Sequence, residues 1–494
     1  MHILLVYPEF PDTFWSFKHA LKFIRKKAGA PPLGLLTVAA MLPADWEKRL
    51  VDLNVGNIAD EDLAWADYVF VSAMIVQRAS AHDIIQRCKA AGVKVVAGGP
   101  LFTMEHEQFP DVDHFVLNEA EETLEPFLLD LAQGQVRRVY ASDKFPDIHQ
   151  TPVPLWELVN FKHYSTISIQ FSRGCPFNCD FCNITTLLGH YPRTKTAAQI
   201  IAELDGLYAL GWRKSIFFVD DNFIGNKKYI KNEVLPALIE WRKGKTGMPF
   251  STEASINLAD DPELMHLMTQ AGFDTVFVGI ETPNEGSLVE CSKSQNKNRD
   301  LVESVKQLQR AGLQVQGGFI VGFDNDSLSI FQQQIDFIQK SGIVTAMVGL
   351  LQAPLGTRLY ERMQKEGRLV KDKEFSGDNV DGSTNIIPKM GLEPLREGYR
   401  ELISQIYAPK FYYERVLTFL REYKPPKIQA PLDWQYILAL WRSMYQLGIR
   451  GVERLHYWRL FFWTLFRRPR LFPLAITFAI YGFHFRQVIE LHVS

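Results

Sequence analysis

Three cysteines stand close together in Phe171-Ser-Arg-Gly-Cys175-Pro-Phe-Asn-Cys179-Asp-Phe-Cys182-Asn. Thiolate sulfur is a soft ligand, and a loop with cysteines at i, i+4 and i+7 can turn all three towards one metal centre. Three thiolates are one short of the complement that fills a cubane iron–sulfur cluster. An incomplete ligand set leaves a position open for chemistry, whereas a filled set is structural. The open iron could take the amino and carboxylate groups of S-adenosylmethionine (SAM), setting its sulfonium where one electron can break an S–C bond. The competing reading is a structural zinc site completed by Cys88 or Cys291. Those two lie in a helical pattern and a polar loop with no paired ligand beside them, and only Cys179 and Cys182 have the C-x-x-C spacing that zinc sites favour.

The elements that must position this loop are of the strand–helix type. An apolar run at residues 2–7 suits a central parallel strand. Strands are then predicted at Lys48–Asp52, Tyr68–Ser72, Lys94–Ala97 and His114–Leu117, with helices at Leu35–Met41, Ala81–Ala91 and Glu121–Leu131. This alternation predicts a doubly wound parallel sheet over 1–140, whose ligands sit beyond the carboxyl ends of its strands. Residues 141–163, with Pro146, Pro152 and Pro154, read as a linker. A second series starts at Thr166–Phe171 and continues through Ser215–Val219, Phe250–Ala254, Thr275–Gly279, Gln314–Val321 and Ala346–Leu351. Its helical patterns include Ala197–Leu210, Pro262–Ala271 and Arg299–Ala311. Six such units over 164–371 predict a partial (β/α) barrel, short of the eight of a complete one. The fold class expected is therefore α/β, followed over 372–494 by a mostly helical region with a polar loop at Gly377–Pro388 and one long helix at Leu395–Tyr423.

With the cysteine loop placed after the first strand of this barrel, the chain resembles the radical SAM superfamily. Phe181 matches that family's aromatic position near the adenine. Asp220-Asp221-Asn222-Phe223 is similar to the DD-x-F turn of its cobalamin-binding branch, and Ser251-Thr-Glu253-Ala-Ser255 to a strand whose polar residues contact SAM. Gly279-Ile-Glu281 and Gly318-Phe-Ile-Val-Gly322 resemble later strand ends approaching the methionine and adenine. The resemblance implies SAM contacts at Phe181, Asp221, Glu253, Ser255, Glu281 and Gly322. Each motif also has a structural reading, since Gly279 and Gly322 suit turns and Asp220 and Asp221 suit caps.

The preceding sheet domain resembles the cobalamin-binding domain of the same branch, and this implies cobalamin contacts at Ser72, Met74, Gln77, Gly98, Gly99 and Glu119. The branch's Asp-x-His-x-x-Gly motif for a lower ligand is absent, and Asn118-Glu119-Ala120-Glu121 stands where it has Gly-Glu-Gly-Glu. The ends of the chain resemble the subgroup that includes the bacterial methylase acting on C-2 of hopanoids.

The resemblance thus implies a [4Fe-4S] cluster, SAM and cobalamin as cofactors, a flavodoxin- or ferredoxin-type electron donor, and methyl transfer to an unactivated carbon of an apolar, lipid- or pigment-like substrate. A cobalamin-assisted cyclase or oxidase and a non-catalytic cobalamin sensor are the rival readings, and no side chain stands out as acid, base or nucleophile.

Composition narrows the setting. A net charge of −2 offers no global attraction to nucleic acid. Five cysteines with three clustered do not form a dispersed disulfide framework, and the opening residues lack a basic region and cleavage site, so a cytoplasmic protein is expected. The stretch 455–485 is aromatic and apolar but is divided by Arg467, Arg468, Pro469 and Arg470, leaving runs too short to span a bilayer. It suits either a helix lying peripherally at a membrane surface or a lid over the barrel mouth.

Overall fold

The computed structural model describes residues 1–370, 373, 375–378, 380–426 and 434–493. The amino-terminal sheet has six parallel strands in the order β2-β1-β3-β4-β5-β6. They are β1 (His2–Tyr7), β2 (Glu47–Asp52), β3 (Tyr68–Ser72), β4 (Lys94–Gly98), β5 (His114–Val116) and β6 (Val139–Tyr140). The unbroken apolar run of β1 follows from helices covering both faces. Leu4 and Val6 enter one core with Ile84, Ile85 and Phe102, while Ile3 and Leu5 enter the other with Leu35 and Phe127. β6, two residues long, is too short to leave a periodic signal.

The linker 141–163 holds three single 3₁₀ turns and is tied back to the sheet domain by the Leu155 N–H, which donates to the Leu36 carbonyl at 3.0 Å. The barrel follows as a second parallel sheet in the order β14-β13-β12-β11-β10-β7, with β7 and β14 as its edges. Its strands are β7 (Thr166–Ile169), β10 (Ser215–Phe218), β11 (Phe250–Glu253), β12 (Phe273–Glu281), β13 (Gln314–Val321) and β14 (Ala346–Leu350).

Two local readings need correction. The strand expected over Thr166–Phe171 ends at Ile169, because the Asp220 carboxylate accepts from the backbone N–H groups of Phe171 and Ser172 and draws the chain out of the ladder. Ser172–Arg173 (β8) then pairs antiparallel with Arg193–Thr194 (β9), and the cysteine loop is strung between them. The single helix expected over Leu395–Tyr423 is two, Leu392–Tyr407 and Pro409–Glu422. Pro409 has no N–H for the ladder, and Ala408 before it is extended at ψ 138°.

The carboxyl-terminal helices do not form a lid over the mouth. They close the barrel's other end, at the amino termini of its strands. The Tyr407 hydroxyl donates to the Ala346 carbonyl at 2.7 Å, the fully buried Arg415 donates to the Val344 carbonyl at 3.3 Å, and the Tyr423 hydroxyl donates to the Gly312 carbonyl at 3.3 Å. Phe14 and Phe17 reinforce this plug by packing on Phe485 and Tyr481. The mouth is crossed instead by the polar segment after β14: Thr384 donates to the Leu351 carbonyl, Asn385 to that of Ala353, and Gln352 to that of Asp378. Among the described residues, no helix is long and apolar enough to cross a membrane.

Sheet domain and barrel meet through a buried ion cluster. Arg173 binds Glu119 at 2.5 Å and Glu121 at 2.8 Å, and Arg193 binds Glu119 at 2.6 Å, all four side chains being 6–15 % exposed. Removing one partner of a buried pair leaves an uncompensated charge. Arg173→Met is therefore expected to destabilise the protein by about 3 kcal/mol, read from denaturant unfolding; an unchanged midpoint would show the cluster to be energetically idle.

Candidate active site

The cysteine loop leaves β8 through Gly174, whose φ of +93° lies in the left-handed region. A Cβ there would come within 2.8 Å of the Gly189 carbonyl oxygen, so the position admits only glycine. Inside the loop the Cys175 N–H donates to the Gly189 carbonyl (3.2 Å) and the Cys182 N–H to the Cys179 carbonyl (3.2 Å). Arg358 fastens the outer side by bonding the Asp180 carboxylate (2.6 Å) and the Asn178 carbonyl. Burial raises all three thiols, pushing Cys182 up to about 12, while Lys293 nearby pulls in the opposite direction.

Burial alone would lower Lys293, but Glu281, at 2.6 Å, and the Cys179 thiol hold it well above the usual lysine range. Glu281 reaches this position because β12 bulges between Gly279 and Glu281 and the residue adopts φ +63°. A Cβ on Gly279 would lie 2.4 Å from the Glu281 carboxylate, so the glycine leaves room for the ion pair. Lys293 and Gln295, which donates towards the Cys179 sulfur at 3.9 Å, were not foreseen; they follow Cys291 in a polar loop with no spacing rule to mark them.

Cys88 and Cys291 do not complete a zinc site with the trio. Cys88 is sealed in the core of the sheet domain, and Cys291 is buried among Phe323, Leu351 and Ala353 with its thiol directed to the Leu288 carbonyl.

On the other side of the loop stands a group of carboxyls. Asp220 is held by the Ser172 hydroxyl (2.6 Å), and burial pushes it up to about 7. Burial likewise raises Asp221 to about 6, against a hydrogen bond from the Gly174 backbone. Glu253 is pushed up to about 8 by burial and then by Asp221 and Asp220. These three lie close enough to raise one another and favour a bound cation or retained protons.

One cavity of about 800 Å³ runs from the carboxyl ends of the amino-terminal strands into the barrel. On the sheet side Ser72, Met74, Gly98, Gly99 and Glu119 line it; on the barrel side Phe181, Cys182, Asp221, Gly279 and Glu281 do. The two sets of residues, far apart in sequence, thus face a shared space. Gly99 (φ +88°) is another position where only glycine fits, since a Cβ would lie 2.5 Å from the Ser72 hydroxyl.

Five expected residues stand otherwise, the first being Glu253, which does not line the cavity. Gln77 is buried outside the lining, its amide donating to the Pro8 carbonyl (2.5 Å) and accepting from the Met74 N–H (2.8 Å). Ser255 donates to Asn257 (2.7 Å), and Gly322 turns the chain at φ +106° against Leu395. Glu119 lines the cavity, but both its carboxylate oxygens are taken by Arg173 and Arg193.

The raised carboxyl of Glu253 has a consequence for stability. Its folded pKa of about 8 exceeds the ordinary value of 4.5. The folded state therefore binds the extra proton between those values, and the stability it contributes at low pH is lost as pH rises towards 8. In ligand-free protein Glu253→Gln is expected to flatten the fall of melting temperature across that window; parallel curves for variant and wild type would refute the raised carboxyl.

Comparison with known proteins agrees with this arrangement. The B12 binding domain family matches residues 27–128, the Radical SAM superfamily residues 169–338, and a domain of unknown function (DUF4070) residues 357–494. An uncharacterized methyltransferase of Synechocystis sp. is 39 % identical over 99 % of this chain and 92 % of its own. The hopanoid C-2 methylase of Rhodopseudomonas palustris is 34 % identical over 92 % of this chain and 88 % of its own. The fold is similar to that of the radical SAM methyltransferase TsrM from Kitasatospora setae, solved with cobalamin and a [4Fe-4S] cluster, at a TM-score of 0.60 and 14 % identity over 99 % of both chains. The protein is an enzyme of the cobalamin-dependent radical SAM methyltransferase family, whose cofactors are a [4Fe-4S] cluster, SAM and cobalamin.

Proposed function

We propose that this enzyme methylates an unactivated carbon of an apolar, lipid- or pigment-like substrate such as a hopanoid, with Cys175, Cys179 and Cys182 ligating the cluster and an electron supplied by a flavodoxin- or ferredoxin-type donor. The observation that carries the reading is the single cavity open to the cysteine loop and to the sheet domain alike. When bound, the cluster, SAM and cobalamin supply the electron, the hydrogen-abstracting radical and the methyl group.

The residues present fit these groups. Three thiols with an open fourth position suit a cluster that also binds a reactant. SAM carries a sulfonium and an ammonium, and the carboxyls of Asp221 and Glu253 answer those charges. The narrow floor at Gly98 and Gly99, with Ser72 and Met74 beside it, gives cobalamin a surface without bulky side chains.

The protein's own part is to hold and to exclude. Arg173 and Arg193 keep the sheet domain pressed to the cysteine loop. Lys293 sets a positive charge near the cluster thiols, and Glu281 fixes its position. Phe277, Ile320, Met347 and Leu350 give the barrel side of the cavity an apolar wall, which keeps water away and fits a substrate without polar handles. Similarity to the hopanoid methylase supports the same substrate class. A lipid substrate also implies that the enzyme works peripherally at a membrane face.

Incubation with SAM, reductant and an apolar extract is expected to yield 5′-deoxyadenosine, S-adenosylhomocysteine and a product one methylene heavier. Deoxyadenosine without S-adenosylhomocysteine would replace methylation by cyclisation or oxidation. Cys179→Ala is expected to lose the cluster's visible absorption and all deoxyadenosine formation while retaining cobalamin. Gly99→Val should do the reverse, weakening cobalamin binding by about tenfold or more, as expected when a close approach is blocked, with cluster assembly intact; undiminished binding would move the cobalamin site away from the end of β4.

A further inference from the structure

Two helical segments near the end of the chain, Trp434–Ser443 continued by Met444–Arg450 and then Arg454–Arg467, each bury one face and expose the other. Ala439, Ser443 and Leu447 point inward from the first, and Tyr457, Leu460 and Thr464 from the second. The outward faces carry Trp441, Tyr445 and Ile449 at four-residue steps on the first segment and Leu455, Phe462 and Phe466 on the second, with Val452 in the turn between them. Val452 is 86 % exposed, and Leu455 and Phe466 are 78 % exposed each. Trp458 joins the two stripes: its indole N–H donates to the Gly448 carbonyl at 2.9 Å, and its ring stacks on Phe462, which stacks in turn on Phe466. Folded proteins seldom leave an apolar surface of this extent uncovered without a partner for it.

The charge pattern says what the partner is. From Trp434 to Ile489 the sequence holds eight arginines and one carboxylate, Glu453. Glu453 is buried and paired with Arg486, so it does not answer the outer charges. Arg450, Arg454, Arg459 and Arg467 are exposed on the same two segments as the apolar stripes. Tryptophan and tyrosine mixed with arginine and large aliphatic residues, with no exposed acid, is the composition of a helix lying in the headgroup layer of an anionic bilayer. A second copy of this chain is a poor occupant, because two such faces would bring their arginines together with no carboxylate to pair them.

We propose that this face docks on anionic lipid bilayers, with the two helical segments lying in the plane of the membrane surface. It gives the membrane contact of the functional reading a definite surface. Its test is independent of substrate, so a failure of docking and a failure of methylation are separate results.

The full-length protein is mixed with vesicles of phosphatidylcholine, with or without phosphatidylglycerol, and sedimented. Binding is expected only to the vesicles containing phosphatidylglycerol and is expected to weaken as salt rises. The double substitution Arg454→Glu with Arg459→Glu, at exposed positions, should reduce that binding by roughly tenfold or more. Val452→Ser with Phe466→Ser should reduce it at all salt concentrations. Melting temperature and SAM cleavage of these variants should match the wild type. Absence of binding to anionic vesicles, or equal binding by variants and wild type, would overturn the proposal. So would a dimer in solution that these substitutions dissociate.

Discussion

Arg173 sits two residues before the first cysteine, and Arg193 sits on the strand that returns from the same loop. Both reach across to Glu119, and Arg173 also to Glu121, at the head of the last long helix of the sheet domain. Four charges removed from water are tolerable only because each meets its opposite at hydrogen-bond distance. That condition fixes the sheet domain against the cysteine loop in one orientation. The shared cavity depends on it, since the carboxyl ends of β3, β4 and β5 must face the mouth of the barrel for the two halves of the lining to enclose one space. The glycines at 98, 99, 174 and 279 do related work on a smaller scale, letting main chain, side chain and cavity approach where a Cβ would collide.

The parts of this arrangement written in local sequence were legible in it. Three cysteines at i, i+4 and i+7 single out their loop as the candidate ligand set, and β1 and β3 show as apolar runs because each is buried along nearly all of its length. The resemblance added the order of the later motifs. What sequence did not reveal lies where partners are remote. Arg173 and Glu119 are separated by 54 residues, and neither carries a mark of the other. Glu119 was expected at the cofactor for its position in the turn, and its side chain is engaged by the barrel. Gln77 looked like a polar residue at a strand end but is spent on the Pro8 carbonyl and the Met74 amide. The long helix over Leu395–Tyr423 failed on one residue, Pro409, where apolar periodicity outweighed the missing donor.

The barrel's two ends have opposite characters. Its carboxyl-terminal end gathers thiols, carboxyls, Lys293 and a polar crossing segment, with the sheet domain closing over them. Its other end is filled by aromatic rings and by Arg415, whose buried guanidinium donates through its two terminal nitrogens to the Ile406 and Val344 carbonyls and Gln339. Beyond that plug lies the exposed aromatic and cationic face. Charge chemistry is thus kept apart from the surface proposed to meet lipid, and changes to one need not disturb the other.

The plug also bears on how the chain comes to be folded. His484 bonds the Phe14 carbonyl across 470 residues of sequence, and Phe14 lies flat on Phe485. During synthesis the Phe14 and Phe17 rings lack their partners Phe485 and Tyr481 until the helix Phe472–Val493 has emerged, long after both sheets can form from their own neighbours. The floor of the barrel is therefore among the last surfaces to be sealed. Between the completion of β14 and the arrival of that helix, the nascent barrel lacks part of the aromatic packing that closes its floor.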